Sequence, residues 1–550
     1  MYDSDDFLLY FEINVVYLHG ETTGNGIVRT EMYRDMIKEF NITGSCNPEW
    51  HYMVDTAKRF KAVEDLIEKG KYFTINRARQ YGKTTMLQMI RRKLSDRYLV
   101  IPLSFEGMDD GAFASHETFV EIFSKMMARK LVAISGDEEL VNIWLNGNGR
   151  TLDDLSMLIS DFCKASNKPV VMLIDEVDKS SDNQLFLNFL GMLRNKYLDR
   201  NEGLEHTFHS VILAGVYDVK NLKLKIRPDA EKKYNSPWNI AADFNVDMTF
   251  HPEEIAQMLT DYESDYHTGM NIQAISEEIY KYTNGYPFLV SKLCKVIDEQ
   301  LDKDWTLDGV QTATKQTILE KNTLFTSLTK NLEEYPELKR FIYSISILGD
   351  TVTYDANNPV MDFATMFSII RYDASRKVRI HNIIFEEVLN NYFIAEQSIA
   401  DMGKLRQQLN YVRDGQLQMD FVIRRFADLM HEEYRDSTVP FLEREGRLLF
   451  LTFLKPIING TGFYYVEPQT RDNRRMDLVV TYGKQEFIIE LKIWRGDKYE
   501  ESGRDQLSAY LATRNMQEGY LVTFDFSKNK QEAEPQWIDW NGKRLFEVIV

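Results

Sequence analysis

The chain has only three cysteines in 550 residues, Cys46, Cys163 and Cys294, and they stand far apart. The count is odd and no pair has metal-ligand spacing. That excludes a disulfide framework and a cysteine-rich metal module, and leaves buried, reduced thiols in a cytoplasm as the expectation. Basic charge is also short, with 66 Lys and Arg against 84 Asp and Glu, a net of -18. An acidic chain does not coat nucleic acid or anionic membrane non-specifically, so a packaging role is excluded while a local nucleic-acid site is not. No uninterrupted apolar run reaches membrane-spanning length, so no membrane partner is expected. The opening stretch "MYDSDDFLLYFEINVVYLHG" lacks a basic leader and carries charge within its apolar run. No signal peptide is expected there, and the protein is expected in the cytoplasm. Repeats and low-complexity segments are absent.

What is present is length and alternation. A chain of 550 residues exceeds what one hydrophobic core usually supports, so several domains are expected. From about 52 to 250 helix-like and strand-like patterns alternate. "KYFTIN", "YLVIPLSF", "PVVMLID" and "FHSVILAGV" read as buried apolar strands separated by helices, which implies a parallel sheet covered on both faces. From 252 to about 320 the pattern is helical. From about 325 to 400 it is short helices with a small strand pair, "VTYD" and "VRIHN". Residues 401–440 read as polar helix and linker, and the rest as a helix, several strands, a helix and a last strand. The first 35 residues have two readings, a short extra strand or a gene start at Met32 or Met36.

"INRARQYGKTT", residues 75–85, ends as a phosphate-binding loop does. Such a loop needs inward backbone amides, a helix N-terminus facing the phosphates, and a lysine that reaches the β- and γ-phosphates. Gly82, Lys83 and Thr84 follow a strand and open a helix. Thr84 would offer its hydroxyl to Mg2+, and Thr85 stands beside it without an assigned role. Arg77 occupies the place of the usual first glycine, so the turn there is expected to be less free. "VVMLIDEVD" supplies the partner. Asp175 would hold the ion's water shell and Glu176 would polarise the attacking water. The two motifs are expected at the ends of adjacent parallel strands.

These residues resemble a known family. "FNITGSCNPEWHYMVD", "KYFTINRARQYGKTTML" and "MLIDEVDKS" are similar to the bacterial AAA-ATPase-like proteins of the STAND-related branch, whose own loop form is R-x-R-x-[FY]-G-K-[ST]. The resemblance covers roughly residues 40–400. It implies ATP bound with Mg2+, the loop residues Arg77, Arg79, Gln80, Tyr81, Gly82, Lys83, Thr84 and Thr85 around the phosphates, and self-association into a homo-oligomer. It also implies a helical lid in which Pro287 of "NGYPFLVSKLC" approaches the adenine, then a winged helix that binds DNA or packs on the ATPase. Arg77 and Arg79 keep two readings, pairing with phosphates or a neighbouring subunit's acid, or anchoring the loop to the domain's own acids.

A second constellation lies in "RRMDLVVTYGKQEFIIELKIWRG", residues 474–496. It reads as two strands joined by a turn. Leu478, Val480 and Tyr482 share one face, with Asp477 and Val479 on the other. Phe487, Ile489, Leu491 and Ile493 face one way, and Glu490 and Lys492 the opposite way. Metal-dependent phosphodiester cleavage needs such acids to hold Mg2+ or Mn2+ and a lysine to orient water or neutralise charge. Glu445 stands on the apolar side of "FLEREGRLLFLTFLKP". Gln506 lies four residues before Tyr510 on one helical face. Glu, then D-x(n)-E-x-K, then Q-x-x-x-Y resembles the PD-(D/E)XK nuclease superfamily, its RecB-like members in particular. The family's usual proline before the first acid is absent, and Met476 stands there. Residues 441–550 hold 16 Lys and Arg against 17 Asp and Glu, nearly neutral, with Arg471, Arg474, Arg475, Arg495 and Lys498 near the expected site.

The expected plan is therefore α/β. It has an N-terminal extension and nucleotide-proximal segment at 1–50 and a P-loop core with a parallel sheet at 51–250. A helical lid follows at 251–324, a winged helix at 325–400, a helical linker at 401–440 and an α/β PD-(D/E)XK domain at 441–550. The expected function is an ATP-binding and ATP-hydrolysing protein whose nucleotide or assembly state gates a Mg2+-dependent nuclease, acting on DNA rather than RNA. The resemblance places it in bacterial defence or mobile-element biology. The alternative is a STAND-type signalling ATPase whose nuclease-fold domain is inactive and binds only.

Overall fold

The computed structural model describes residues 38–147, 149–177, 184–216, 238–347, 350–401, 411–434, 443–458, 462–465, 478–494, 497–525 and 534–550. The alternatives for residues 1–35 lie outside them.

The first helix, α1 (Ala57–Glu68), buries Arg59, Phe60, Val63 and Ile67, a stripe at helical spacing. Then come β1 (Phe73–Asn76), α2 (Lys83–Leu94), β2 (Leu99–Ser104), α3 (His116–Ile134), α4 (Glu138–Asn146), α5 (Leu152–Ala165), β3 (Val170–Asp175), α6 (Gln184–Asn201) and β4 (Ser210–Gly215). The four strands are parallel, in the order β1-β4-β3-β2. Phe73, Ile75, Leu173 and Ile212 pack on one face with α1 and α2. Ile101, Met172, Ile174 and Leu213 pack on the other with α3, α5 and α6. The sheet is thus covered on both faces, as its unbroken apolar strands predict.

One expectation is corrected. β1 and β3 are not adjacent, because β4 lies between them. Every residue of "SVILAG" is buried, and a strand apolar on both faces is best accommodated at the sheet's interior. The consequence is functional. The ends of β1 and β3 stand two strand spacings apart, about 10 Å, which leaves room for phosphates between them.

The helical region comprises α7 (Pro252–Tyr266), α8 (Ile272–Thr283), α9 (Pro287–Gln300), α10 (Leu307–Leu319), α11 (Thr323–Glu334), α12 (Pro336–Ser346) and α13 (Pro359–Met366). Four of these begin with proline, where no intrahelical N–H bond is lost. Gly285, at φ +71°, is required between α8 and α9, since a Cβ there would lie 2.1 Å from the Phe250 carbonyl oxygen.

The strand pair that follows differs from expectation. β6 (Val378–Ile380) pairs with β5 (Ile370–Tyr372). "VTYD" adds a third, irregular strand, in which the Val378 amide donates to the Val352 carbonyl at 2.9 Å and the Tyr354 amide to that of Arg376 at 2.7 Å. β5 was illegible because Arg371 and Tyr372 are exposed, so its apolar pattern is one residue long. α14 (Ile383–Asp401) closes this part.

The last part contains β7 (Val412–Arg413), β8 (Gln416–Leu417), α15 (Met419–Tyr434), α16 (Glu443–Ile458), β9 (Gly462–Tyr465), β10 (Leu478–Tyr482), β11 (Gln485–Ile493), α17 (Asp497–Thr513), β12 (Glu518–Phe524), β13 (Gln536–Trp540) and β14 (Lys543–Ile549). The six-stranded sheet runs β13-β14-β12-β11-β10-β9. Residues 419–434, read as linker, are part of this core. Val422, Ile423, Phe426 and Met430 pack with Phe450, Leu454 and Leu491. Their spacing is a helical stripe that the polar surroundings concealed. The single last strand expected is three, because the exposed edge strand β13 alternates too irregularly to read.

Candidate functional site

The loop between β1 and α2 makes its turn at Gln80 (φ +57°) and Gly82 (φ +78°), whereas Arg77 keeps an ordinary backbone. A glycine at 77 is therefore unnecessary, contrary to the expectation of a constrained turn there. Lys83 is buried, and its Nζ donates to the carbonyls of Arg77 at 2.9 Å and Ala78 at 3.0 Å. Thr84 Oγ1 donates to Asp175 Oδ2 at 2.9 Å, and Asp175 Oδ1 accepts the Glu176 amide at 3.0 Å. Glu176 itself sits at φ +57°, a conformation costing a non-glycine residue about 1–2 kcal/mol. Lys83, Thr84, Asp175 and Glu176 thus meet at one end of the sheet. A hydroxyl and a carboxylate side by side are an all-oxygen donor set, which fits a hard divalent ion and its water shell.

The Arg77, Gln80 and Tyr81 side chains have partners away from the strand end. The Arg77 guanidinium donates to the carbonyls of Asn76 at 2.9 Å, Phe244 at 3.2 Å and Val246 at 2.7 Å. Its plane also lies 5.1 Å from the Phe244 ring. Arg77 thus ties the loop to backbone carbonyls rather than to acids. Burial lowers the Arg77 pKa. Arg79 is exposed, and its carbonyl accepts the Tyr286 hydroxyl at 2.6 Å. Gln80 Nε2 reaches Thr323 Oγ1 at 3.4 Å. Tyr81 is buried edge-on against Tyr286, with its hydroxyl 3.2 Å from His381 Nε2. With the turn at Gln80, the side chains of Gln80 and Tyr81 fall against the helices that follow, Arg77 ties the loop to segment 244–246, and the Arg79 side chain stays exposed.

Behind α2 lies an apolar cavity of about 350 Å3, within the range of small-ligand sites. Ile42, Met53, Met86, Met248 and Pro287 line it, together with Gly82 and Thr85 of the loop. Pro287 is thus on the same cavity as the loop residues Gly82 and Thr85. Thr85 acquires a role the sequence did not assign. Its Oγ1 accepts the Cys46 amide at 3.1 Å, while Gln88 donates to Ser45 at 2.6 Å and Arg92 to Asn47 at 2.9 Å. Positions 85, 88 and 92 share one helical face, which holds segment 41–54 against the cavity. Cys46 there is half-buried rather than buried, and burial raises its thiol pKa. Arg59 also lines the cavity and pairs with Glu254 at 2.5 Å. It was missed, although a charge inside the apolar stripe of α1 is a signal periodicity can show.

In the C-terminal sheet β10 and β11 are antiparallel, with Leu478 opposite Ile489 and a two-residue turn at Gly483 and Lys484. Val479 and Ile488 pack with Leu507, Tyr510 and Leu511 of α17. Leu478, Val480, Phe487, Ile489 and Leu491 face α15 and α16. Glu490 and Lys492 therefore lie on the α17 side. Glu490 is 1% exposed, and its Oε1 is 2.8 Å from Lys492 Nζ. A Cβ on Gly503 would be 3.6 Å from Lys492 Cγ, so α17 lies over the lysine's stem. Gln506 is half-buried on the same helix. Asp477, Arg471, Arg474, Arg475 and Arg495 lie outside the described residues, as do the side chains of Glu445 and Lys498. Among the described residues no three His, Cys, Asp or Glu side chains cluster as a metal site. None of the described helices is long and apolar enough to cross a membrane.

Comparison with known proteins identifies two domains. Residues 48–359 match the AAA-like domain, and residues 461–535 match the PD-(D/E)XK nuclease superfamily. No curated protein matches the chain. A solved structure of a Walker-type ATPase of Pyrococcus abyssi is similar over 64% of this chain and 99% of that one, at 12% identity and TM-score 0.44. The Aeropyrum pernix ORC2 protein, in ADPNP–ADP complexes, is similar over 62% and 93%, at 13% identity and TM-score 0.37. The Thermotoga maritima RuvB Holliday junction branch migration motor is similar over 62% and 95%, at 13% identity and TM-score 0.31.

Proposed function

The chain belongs to the AAA-like domain family, and from that premise we propose that it binds and hydrolyses ATP and uses the nucleotide state to gate a metal-dependent nuclease in its C-terminal domain. The observation that carries the ATPase half is the 2.9 Å contact between Thr84 and Asp175, beside Lys83 and Glu176. Lys83 would move from its loop carbonyls to the β- and γ-phosphates. Thr84 and Asp175 would hold Mg2+ with its water, and Glu176 would polarise the attacking water. Gly82 and Thr85 lie where the apolar cavity meets the loop, and the base would enter that cavity against Pro287.

For the nuclease half, the support is the buried Glu490–Lys492 pair under α17. Leu478 stands opposite Ile489, and the residues flanking that pair are Asp477 and Glu490. We assign Mg2+ or Mn2+ to Asp477, Glu490 and Glu445, with Lys492 and Gln506 orienting water and phosphate. A bound cation would make a nucleophile from water and stabilise charge on the phosphate. The substrate class is DNA rather than RNA, and the setting cytoplasmic, within a homo-oligomer and in bacterial defence or mobile-element biology. Helices α11 to α14 with the β5–β6 hairpin fit the winged-helix part of this plan.

The direct test is phosphate release and cleavage by the purified chain over linear, circular, single-stranded and RNA substrates, with Mg2+ or Mn2+. An intact panel with no phosphate release sinks the proposal.

A further inference from the structure

We infer that α14 and α16 form a rigid joint that transmits the state of the nucleotide loop to the nuclease site. The inference rests on the proposed function and adds the path of its regulation.

The upstream end of α14 touches the loop. His381, two residues before α14, lies against Tyr81, and Phe385 lies 5.2 Å from the Tyr286 ring. Tyr286 in turn donates to the Arg79 carbonyl. Six residues beyond His381 the same segment grips the C-terminal domain. Glu387 is 2% exposed, and its Oε2 lies 3.7 Å from Lys455 Nζ on α16. The Tyr464 backbone amide also donates to Glu387. Lys455 Nζ stands 5.1 Å from the Tyr464 ring. Burial raises the Glu387 carboxyl to about 8 and lowers the Lys455 ammonium, as befits a pair held out of water.

α16 belongs to two cores at once. Leu448 packs in the cluster that holds Phe385, Leu389 and Phe393, while Phe450, Leu451 and Leu454 pack in the C-terminal core. Leu448, Thr452 and Lys455 follow one another at helical spacing, so one face of α16 meets α14. Glu445, an expected metal ligand, stands one turn before Leu448 in the chain.

Among the described residues, the two parts also face each other across open space. A cavity of about 590 Å3 separates α8 and α10 from the β10–β11 turn. Lys484 and Asp308 meet at its edge at 3.6 Å, with side chains 92% and 71% exposed. Such an exposed pair holds little. The α14–α16 contact is buried by comparison, at the edge of the same cavity, and it leads from the loop to the helix that carries Glu445.

The test uses the full chain with Mg2+ and ATP. Amide hydrogen exchange is followed over α16, nucleotide affinity is measured directly, and cleavage is assayed in parallel. Glu387→Gln and Lys455→Met are made separately and together, since the double variant leaves no lone buried charge. ATP is expected to change exchange in α16 of the wild type. That response should vanish in the variants, with ATP affinity within about threefold. The nucleotide dependence of cleavage, of the order of 5- to 150-fold for such couplings, should fall towards one. Wild-type ATP binding without any α16 response overturns the joint alone, as does a response that survives in the double variant. Failure of the wild type to bind ATP overturns the functional reading, and the joint with it.

Discussion

Thr84 Oγ1 lies 2.9 Å from Asp175 Oδ2, although 91 positions of sequence and the intervening strand β4 separate their elements. That contact brings the phosphate loop and the acidic strand end together as one site. On the proposed reading Lys83→Ala removes the cation that would reach the transferred phosphate, and it should lower turnover by about 10²- to 10³-fold. Glu176→Gln keeps the shape but not the carboxylate proposed to polarise the water. It should lower hydrolysis by about 10²- to 10⁴-fold while ATP affinity stays near wild type. Phosphate-release assays with parallel binding titrations check both, and a Glu176→Gln protein that still hydrolyses normally removes Glu176 from the mechanism.

Arg77 gives a sharper separation, because its guanidinium donates to three carbonyls. Bonds to a charged donor contribute about 1.5–3 kcal/mol each, and they overlap in effect. Arg77→Ala should therefore cost about 2–4 kcal/mol of stability, seen as a lower melting temperature. ATP affinity should change by less than about threefold once folding is accounted for. An unchanged melt with a large loss of affinity would mean that Arg77 is a phosphate ligand after all.

His381 is buried beside Tyr81 and Asn382, and burial lowers its pKa to about 3. A lowered base binds fewer protons folded than unfolded. Its contribution is therefore present above the ordinary histidine value of about 6.5 and is lost as pH falls towards 3. The loss should approach about 1.4 kcal/mol per pH unit in that window. Thermal melts from pH 7 to 4.5 should fall more steeply in the wild type than in His381→Gln. Parallel slopes would show that His381 does not carry this acid sensitivity.

How much was legible follows from what each residue needs. That the Gly82–Thr84 loop and the Asp175–Glu176 strand end meet was readable, because each follows an apolar strand in a short pattern that few residue types complete. Glu490 and Lys492 were readable because a period of two puts them on one face. Arg77 was not, because its partners are backbone carbonyls, which leave no trace in residue identity. Tyr81 and His381 lie 300 positions apart, and no local pattern links them. The strand β4 was legible but its place between β1 and β3 was not, since apolar strands announce burial but not order. The stripe Val422, Phe426 and Met430 was visible in principle, and only the polarity around it disguised a core helix as a linker.

The central claim is that a nucleotide-governed, metal-dependent cleavage centre stands on Glu490. Its most direct test is cleavage of the substrate panel by wild type and Glu490→Gln with Mg2+ or Mn2+, each with and without ATP. The account predicts divalent-dependent cleavage by the wild type that changes with ATP, and its loss in Glu490→Gln with ATP hydrolysis retained. Equal cleavage by both proteins, or none by the wild type under any condition while ATP is hydrolysed, contradicts it and leaves a domain with the nuclease fold that only binds.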